Sequence, residues 1–265
     1  MQQLLSHEGA IRIGVFAGVL VVMMLAEALL PRRSRSLGRG KRWPANLGIV
    51  VIDTLVVRLL IPLPPAAAAL WAAENGVGLF NMTALPTLPV IALCVVFLDF
   101  AIYVQHVVFH KVPVLWRLHR MHHADTEIDV TTGIRFHPVE IILSLLIKIA
   151  LVVALGIPAV AVILFEVVLN ASAMFNHANV KLPPGLDRLL RMLVVTPDMH
   201  RVHHSWYPAE TDSNYGFCLS IWDRLIGTYT PQPRDGHDAM TIGLKSFRED
   251  RDRGITGLLT IPFRN

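Results

Sequence analysis

LPTLPVIALCVVFLDFAIYVQHVVFHKVPVLWRLHRMHH, residues 85–123, decides how the chain is read. Its first part, 85–109, is an apolar run long enough to cross a bilayer as a helix. Its last part is dense in histidine. His106 and His110 stand four apart at the end of the run, so on a helix both imidazoles leave from one face. His119, His122 and His123 follow with i, i+3, i+4 spacing, which puts the first and last on one stripe and the middle one alongside. The same triplet recurs at His200, His203 and His204, so that residues 106–123 and 200–204 hold eight of the twelve histidines.

Working outward, the composition points to lipid: 53% of the 265 residues are hydrophobic and 17% charged, against about 25% charged in an ordinary soluble domain. Residues 11–30 form a first apolar run of full bilayer length, followed by Pro31-Arg32-Arg33 without a small-residue cleavage site, and are read as a retained helix. Six basic residues (Arg32, Arg33, Arg35, Arg39, Lys41, Arg42) then appear with no acidic one among them. That block is a positive-inside signal, which puts this loop in the cytosol and the N-terminus on the opposite side. Binding to anionic headgroups is a secondary role for it. No aromatic or groove-reading motif accompanies it, so a nucleic-acid partner is not expected.

Residues 47–71 predict a second span kinked by Pro62, Pro64 and Pro65, and 85–109 a third. The stretch 139–175, interrupted by Gly156-Ile157-Pro158, suits a helical hairpin that crosses and returns. Beyond His177 no segment is long enough to cross. The expectation is an all-α, polytopic helical membrane protein of about four to five spans or half-spans, one domain over 1–265, with a cytosolic helical cap carrying the histidine boxes. Counting spans from the basic loop puts 106–137 and 177–204 at the same, cytosolic, face.

Only two cysteines occur, Cys94 and Cys218, so a thiolate site is excluded and any metal is held by nitrogen or oxygen. Eight imidazoles exceed the four that a tetrahedral zinc takes, and two metals fit better. Imidazole suits zinc, copper, iron and nickel alike. The setting beside lipid favours a redox pair that activates dioxygen against a C–H bond over a zinc pair that needs a hydrolysable bond.

His177, at the end of the hairpin, is a ninth candidate ligand, with Glu166 and Asn170 on the same helical face as possible partners behind it. His137 is open between ligand, support for a ligand, and helix-start structure. Asp99 shares the face of Tyr103, His106 and His110, where it can accept from an imidazole, orient Tyr103, or pair with Arg58. Glu210, Asp212, Asn214, Tyr215 and Trp222-Asp223-Arg224 read as polar contacts that hold the fold.

Taken together, His106-x3-His110, His119-x2-His122-His123, Arg135-Phe136-His137-Pro138-Val139-Glu140, Asn176-His177-Ala178-Asn179 and Asp198-Met199-His200-Arg201-Val202-His203-His204 resemble the fatty acid hydroxylase superfamily, also called the sterol desaturase family. The tail, Asn214-Tyr215-Gly216 and 222–229, is similar to that family's ending, and the likeness covers about residues 95–230. The resemblance implies a membrane-bound, non-haem di-iron oxidoreductase that hydroxylates or desaturates a fatty acyl, sterol or isoprenoid lipid, with dioxygen as co-substrate. Its two Fe ions would be held by His106, His110, His119, His122, His123, His177, His200, His203 and His204. A fused cytochrome b5 domain is not expected, since 265 residues leave no length for one, and the electrons are expected from a separate ferredoxin- or cytochrome b5-like donor with its reductase. The rivals are a metal-ion transporter or metal-binding membrane protein, which should carry ligands near mid-membrane, and a zinc hydrolase, for which no base or nucleophile lies within the boxes.

Overall fold

The computed structural model describes residues 7–265, and every regular element among them is helical. The long ones are α1 (Glu8–Leu29), α2 (Trp43–Leu60), α3 (Pro65–Glu74), α4 (Thr87–Lys111), α5 (Pro113–His123), α6 (Pro138–Leu155) and α7 (Ala159–His177), followed by the short α8 (Pro184–Leu190) and α9 (Pro197–His203). α1, α4, α6, α7 and the segment Trp43–Met82 are long and apolar enough to cross a membrane, giving five spans. The protein is a polytopic all-α membrane protein.

Proline chemistry sets the breaks. Ile61–Pro64 is too rich in proline to continue a helix, since the ring removes a donor and clashes with the preceding turn, and the second span divides into α2 and α3 where a kink was expected. The α6–α7 hairpin turns at Gly156, which takes a left-handed conformation (φ 64°) and ends α6, while Pro158 precedes α7. Gly78 packs directly on the Gly156 backbone, where a side chain would collide with its nitrogen. α3 lies against both α6 and α7, burying Ala66, Ala68, Ala69 and Ala72. Small residues there let backbones approach where lipid supplies no hydrophobic drive between helices. Cys94 and Leu98 of α4 and Val162 and Phe165 of α7 complete that core.

The cap is fastened by buried charges. Arg42 donates to both oxygens of Asp125 (2.7 and 2.5 Å), to Asp129 (2.6 Å) and to the Glu127 carbonyl (2.6 Å). Glu27, buried near the end of α1, accepts from the backbone of Val130 (2.7 Å) and Asn179 (2.9 Å) and from Arg35 and Arg39. Arg32 pairs with Asp198 and Asp238. The basic block of the sequence therefore clamps the cap to the spans, and most of it is not free for lipid headgroups.

Burial alone would raise the Asp125 carboxyl, but Arg42 and Arg135 beside it outweigh burial and hold it at about 2. A depressed carboxylate stabilises the fold above its unfolded value of about 4 and loses that contribution as pH falls towards the folded value. The expected outcome is that stability of the detergent-solubilised protein declines between about pH 4 and pH 2 through this group. Arg42→Met, which strands Asp125 and Asp129, should cost about 3–5 kcal/mol in chemical unfolding; a loss below about 1 kcal/mol, the scale of an exposed pair, would show that the network does not hold the cap.

Candidate metal centre

His106 and His110 come from the last turns of α4, His119, His122 and His123 from α5, His177 from the end of α7, and His200, His203 and His204 from α9 and the residue after it. All nine are buried, and they fall into two groups: His106, His110, His119, His123 and His203, and His122, His177, His200 and His204. Within each group the donor atoms lie within 4.8 Å of one another. Helical periodicity explains the division. His119 and His123, four apart, share a stripe and enter the first group, while His122 beside them enters the second; His200 and His204 enter the second and His203 the first.

For five of the nine rings a hydrogen bond fixes which nitrogen carries the proton. His106 Nδ1 lies 2.7 Å from the Tyr215 carbonyl, His177 Nδ1 2.7 Å from that of Ala173, His203 Nδ1 2.7 Å from that of Ser213, and His122 Nδ1 3.1 Å from that of Arg135. A carbonyl only accepts, so each of these nitrogens donates, and the neutral ring keeps a bare lone pair on Nε2. His119 donates likewise to Glu140 (2.7 Å). The Nε2 atoms of His106 and His119 nevertheless face each other at 3.1 Å, and those of His122 and His177 at 3.0 Å. His177 Nε2 also lies 3.0 Å from His200 Nε2 and 3.2 Å from His204 Nε2. One nitrogen cannot satisfy three others by hydrogen bonding, and facing lone pairs repel. A cation about 2 Å from each, the usual metal–imidazole distance, removes the conflict. Among the described residues the buried Nε2 atoms of His110, His123 and His203 have no hydrogen-bond partner, as a metal-binding set requires.

Burial, reinforced by the neighbouring rings, holds His122, His123, His200 and His204 well below the usual histidine range. For His203 burial prevails over the Ser213 carbonyl and brings it to about 3. These rings are neutral at pH 7, the form that ligates.

The supporting residues differ from those expected. Asp99 reaches no histidine and does not pair with Arg58; it accepts from Trp222 Nε1 (2.8 Å) and the backbone of Cys218 (3.2 Å) and Leu219 (3.1 Å), fastening the C-terminal segment to α4. Glu166 and Asn170 also stand apart from His177: Glu166 is paired with Arg12 and Lys148, Asn170 donates to the Glu166 carbonyl, and helix geometry delivers the Ala173 carbonyl to the imidazole instead. His137 lies outside both groups. Its Nδ1 accepts from Val139 N (3.2 Å), capping α6, and its Nε2 meets the Leu259 carbonyl at 3.3 Å. Glu140 was the missed partner, since nothing in the spacing links it to a histidine 21 positions away. Asp212 contacts His110 Nδ1 at 3.4 Å and Lys111 at 2.8 Å. Asp223 holds the backbone N–H groups of Tyr215 and Gly216 (2.8 Å each) and so positions the carbonyl that His106 uses. Gly133 packs on the Ala173 carbonyl and His177 Nδ1, leaving no room for a side chain.

From the first group a cavity of about 770 Å³ runs away between α1, α2, α4, α6 and α7. His106, His119, Phe109, Phe136, Ala173 and Phe217 line its histidine end. Its walls beyond are largely apolar, and Arg12, Arg58, Lys148 and Glu166 lie in its lining on α1, α2, α6 and α7.

Residues 91–228 match the model of a protein family described as fatty acid hydroxylase, and all nine histidines fall inside the match. Among curated proteins, the chain is 32% identical over 144 residues to ornithine lipid hydroxylase OlsE of Rhizobium tropici, covering 54% of this chain and 43% of that protein. It is 29% identical over 154 residues to alkylglycerol monooxygenase of Homo sapiens (56% and 32%) and 30% over 141 residues to a cholesterol 25-hydroxylase-like protein of Danio rerio (52% and 54%). The matches cover less than half of the length of the first two relatives. No solved structure matches the chain. With the family match spanning just over half of its length and holding every residue of the histidine centre, the chain belongs to the fatty acid hydroxylase family.

Proposed function

We propose that the nine histidines hold two iron ions and that the protein uses dioxygen, with electrons from a separate donor, to hydroxylate a membrane lipid. The observation that carries this reading is the junction of two groups of bare imidazole nitrogens with a largely apolar cavity, whose wall includes His106 and His119. Iron held there and reduced from outside supplies the one-electron chemistry that turns dioxygen against an unactivated C–H bond. Everything else falls to the chain. Glu140 and the carbonyls of Arg135, Ala173, Ser213 and Tyr215 hold the Nδ1 protons and aim the rings. Phe109, Phe136 and Phe217 keep water from the reacting carbon, while the apolar wall threads an acyl, sterol or isoprenoid chain towards it.

Hydroxylation is favoured over desaturation because the relatives' names are those of hydroxylases and monooxygenases. A polar membrane lipid is the favoured substrate class, in keeping with ornithine lipid and alkylglycerol in two of those names. The donor is a ferredoxin- or cytochrome b5-like protein with its reductase. A metal-transport role finds less support, since the candidate ligands gather at one end of the spans instead of tracking across them. We place the histidine end on the cytosolic side on the strength of the basic block after α1.

Purified protein should carry two irons per chain and, given reductant, dioxygen and a membrane lipid extract, yield a lipid heavier by one oxygen atom. His203→Ala should lose both metal and turnover. If both irons are bound and reducible yet no lipid in a broad panel gains oxygen, the enzymatic reading fails. Glu140→Gln exchanges the anionic acceptor of His119 for a neutral one and should lower iron affinity by about 10- to 100-fold in competition with a chelator; His137→Asn, which keeps a cap for α6, should leave iron binding unchanged. An equal loss in both variants would mean that Glu140 acts only through the fold. For sidedness, a cysteine at exposed Lys245 should react with an impermeant maleimide only after spheroplasts are opened, and labelling of sealed spheroplasts would reverse the orientation.

A further inference from the structure

The end of the cavity away from the histidines is charged, although it is built from membrane-spanning helices. Glu166, buried on α7, is held by Arg12 of α1 and by Lys148 of α6 (2.8 Å), and Arg12 also pairs with Glu8 (2.5 Å). Arg58 of α2 lines the same cavity and has no carboxylate partner among the described residues. Over the whole cavity wall Arg12, Arg58 and Lys148 face Glu8, Asp53, Glu140 and Glu166, and of the three cations Arg58 is the one outside an ion pair. Five residues earlier on α2, about 7 Å along and ~140° around the axis, the buried Asp53 lies in the cavity wall on the side towards Glu140, with a carboxylate oxygen that has no hydrogen-bond partner among the described residues.

Charges in a span are costly and usually mark a ligand path. A purely structural ion network would be closed on itself. This one leaves an arginine without a counter-charge and a carboxylate without a donor, both lining the cavity that leads to the metal centre, and Arg12 and Glu8 keep about a quarter to a third of their side chains exposed at its mouth.

We infer that this end of the cavity is a headgroup site for a lipid that carries an anionic oxygen group together with a hydrogen-bond donor, an ammonium or amide N–H. The anionic group sits among Arg12, Arg58 and Lys148; the donor meets Asp53. A neutral lipid with a single hydroxyl offers Asp53 a donor but gives the three cations no anionic group. The assignment deepens the lipid-oxygenase reading by naming the substrate class, and it rests on that reading only for the claim that the bound lipid is the substrate.

Binding tests it without turnover. Dioleoyl phosphatidylethanolamine, phosphatidic acid and diacylglycerol are compared on the iron-loaded protein by native mass spectrometry, with melting temperature and iron content recorded for each variant. Phosphatidylethanolamine should bind at least tenfold more tightly than diacylglycerol, with phosphatidic acid between them, and inorganic phosphate should not displace it. Arg58→Met, on an exposed helix face, should bring both phospholipids down to diacylglycerol at unchanged melting temperature; Asp53→Leu should bring phosphatidylethanolamine down to phosphatidic acid. Equal binding of the three lipids, displacement by phosphate, or variants that lower the melting temperature without changing lipid preference would overturn the site. Such a result leaves iron loading and turnover untouched, and absence of turnover leaves the binding result standing.

Discussion

Bare imidazole lone pairs that face one another about 3 Å apart in a dry interior are the constraint on which the rest of the structure depends. For the pairs His106–His119 and His122–His177, whose Nδ1 protons are held by acceptors, no neutral tautomer relieves it. Protonating a ring would bury a charge among neutral neighbours, and rotating one would take its Nδ1 proton from the acceptor that now holds it. A cation between the nitrogens would relieve the conflict, so the site is specified by its acceptors as much as by its histidines: Glu140 and four backbone carbonyls decide where the lone pairs of five of the nine rings point.

Those carbonyls belong to segments that must themselves be held still, and buried carboxylates do it. Asp223 holds the turn that presents the Tyr215 carbonyl, Asp99 ties the next residues to α4, and Glu27 joins the end of α1 to the backbone at Val130 and Asn179. Asp125 and Asp129, gripped by Arg42, brace the loop that leads to Arg135. Glu27, Asp99, Asp129 and Asp223 accept N–H groups from backbone that has no helix to bond with, a need that grows as the cap becomes irregular, while Asp125 ties together the side chains of Arg42, Thr132 and Arg135.

The spans, the proline break, the hairpin turn at Gly156 and the nine histidines were legible in the sequence because each depends on local periodicity or a single backbone preference. Even the sorting of each triplet between two groups follows from helix geometry. The roles of Asp99, Glu166 and Asn170 were misjudged for the same reason: sharing a helical face with a histidine says where a side chain starts, not which of several packed elements it meets. Asp99 met the C-terminal segment and Glu166 met two cations on other helices. Glu140 escaped notice because its link to His119 is made by the packing of α6 on α5. Asp223 holds backbone beside the histidines, in keeping with a fold-holding role, while Asp212 lies against His110 and Lys111.

The position of the centre at the ends of the spans follows from the same acceptors. A histidine whose Nδ1 needs a spare carbonyl finds one readily where backbone is irregular, as at Arg135, Ser213 and Tyr215, or near a helix terminus, as at Ala173. Irregular backbone is excluded from contact with hydrocarbon, because its unpaired groups have no water to bond. A centre of this kind is therefore pressed to the rim of the membrane, away from the chains of any lipid it would act on. The cavity bridges the separation, since it carries a largely apolar wall from the histidines at the rim back into the spans, where Arg12, Lys148 and Glu166 tie α1, α6 and α7 together along it.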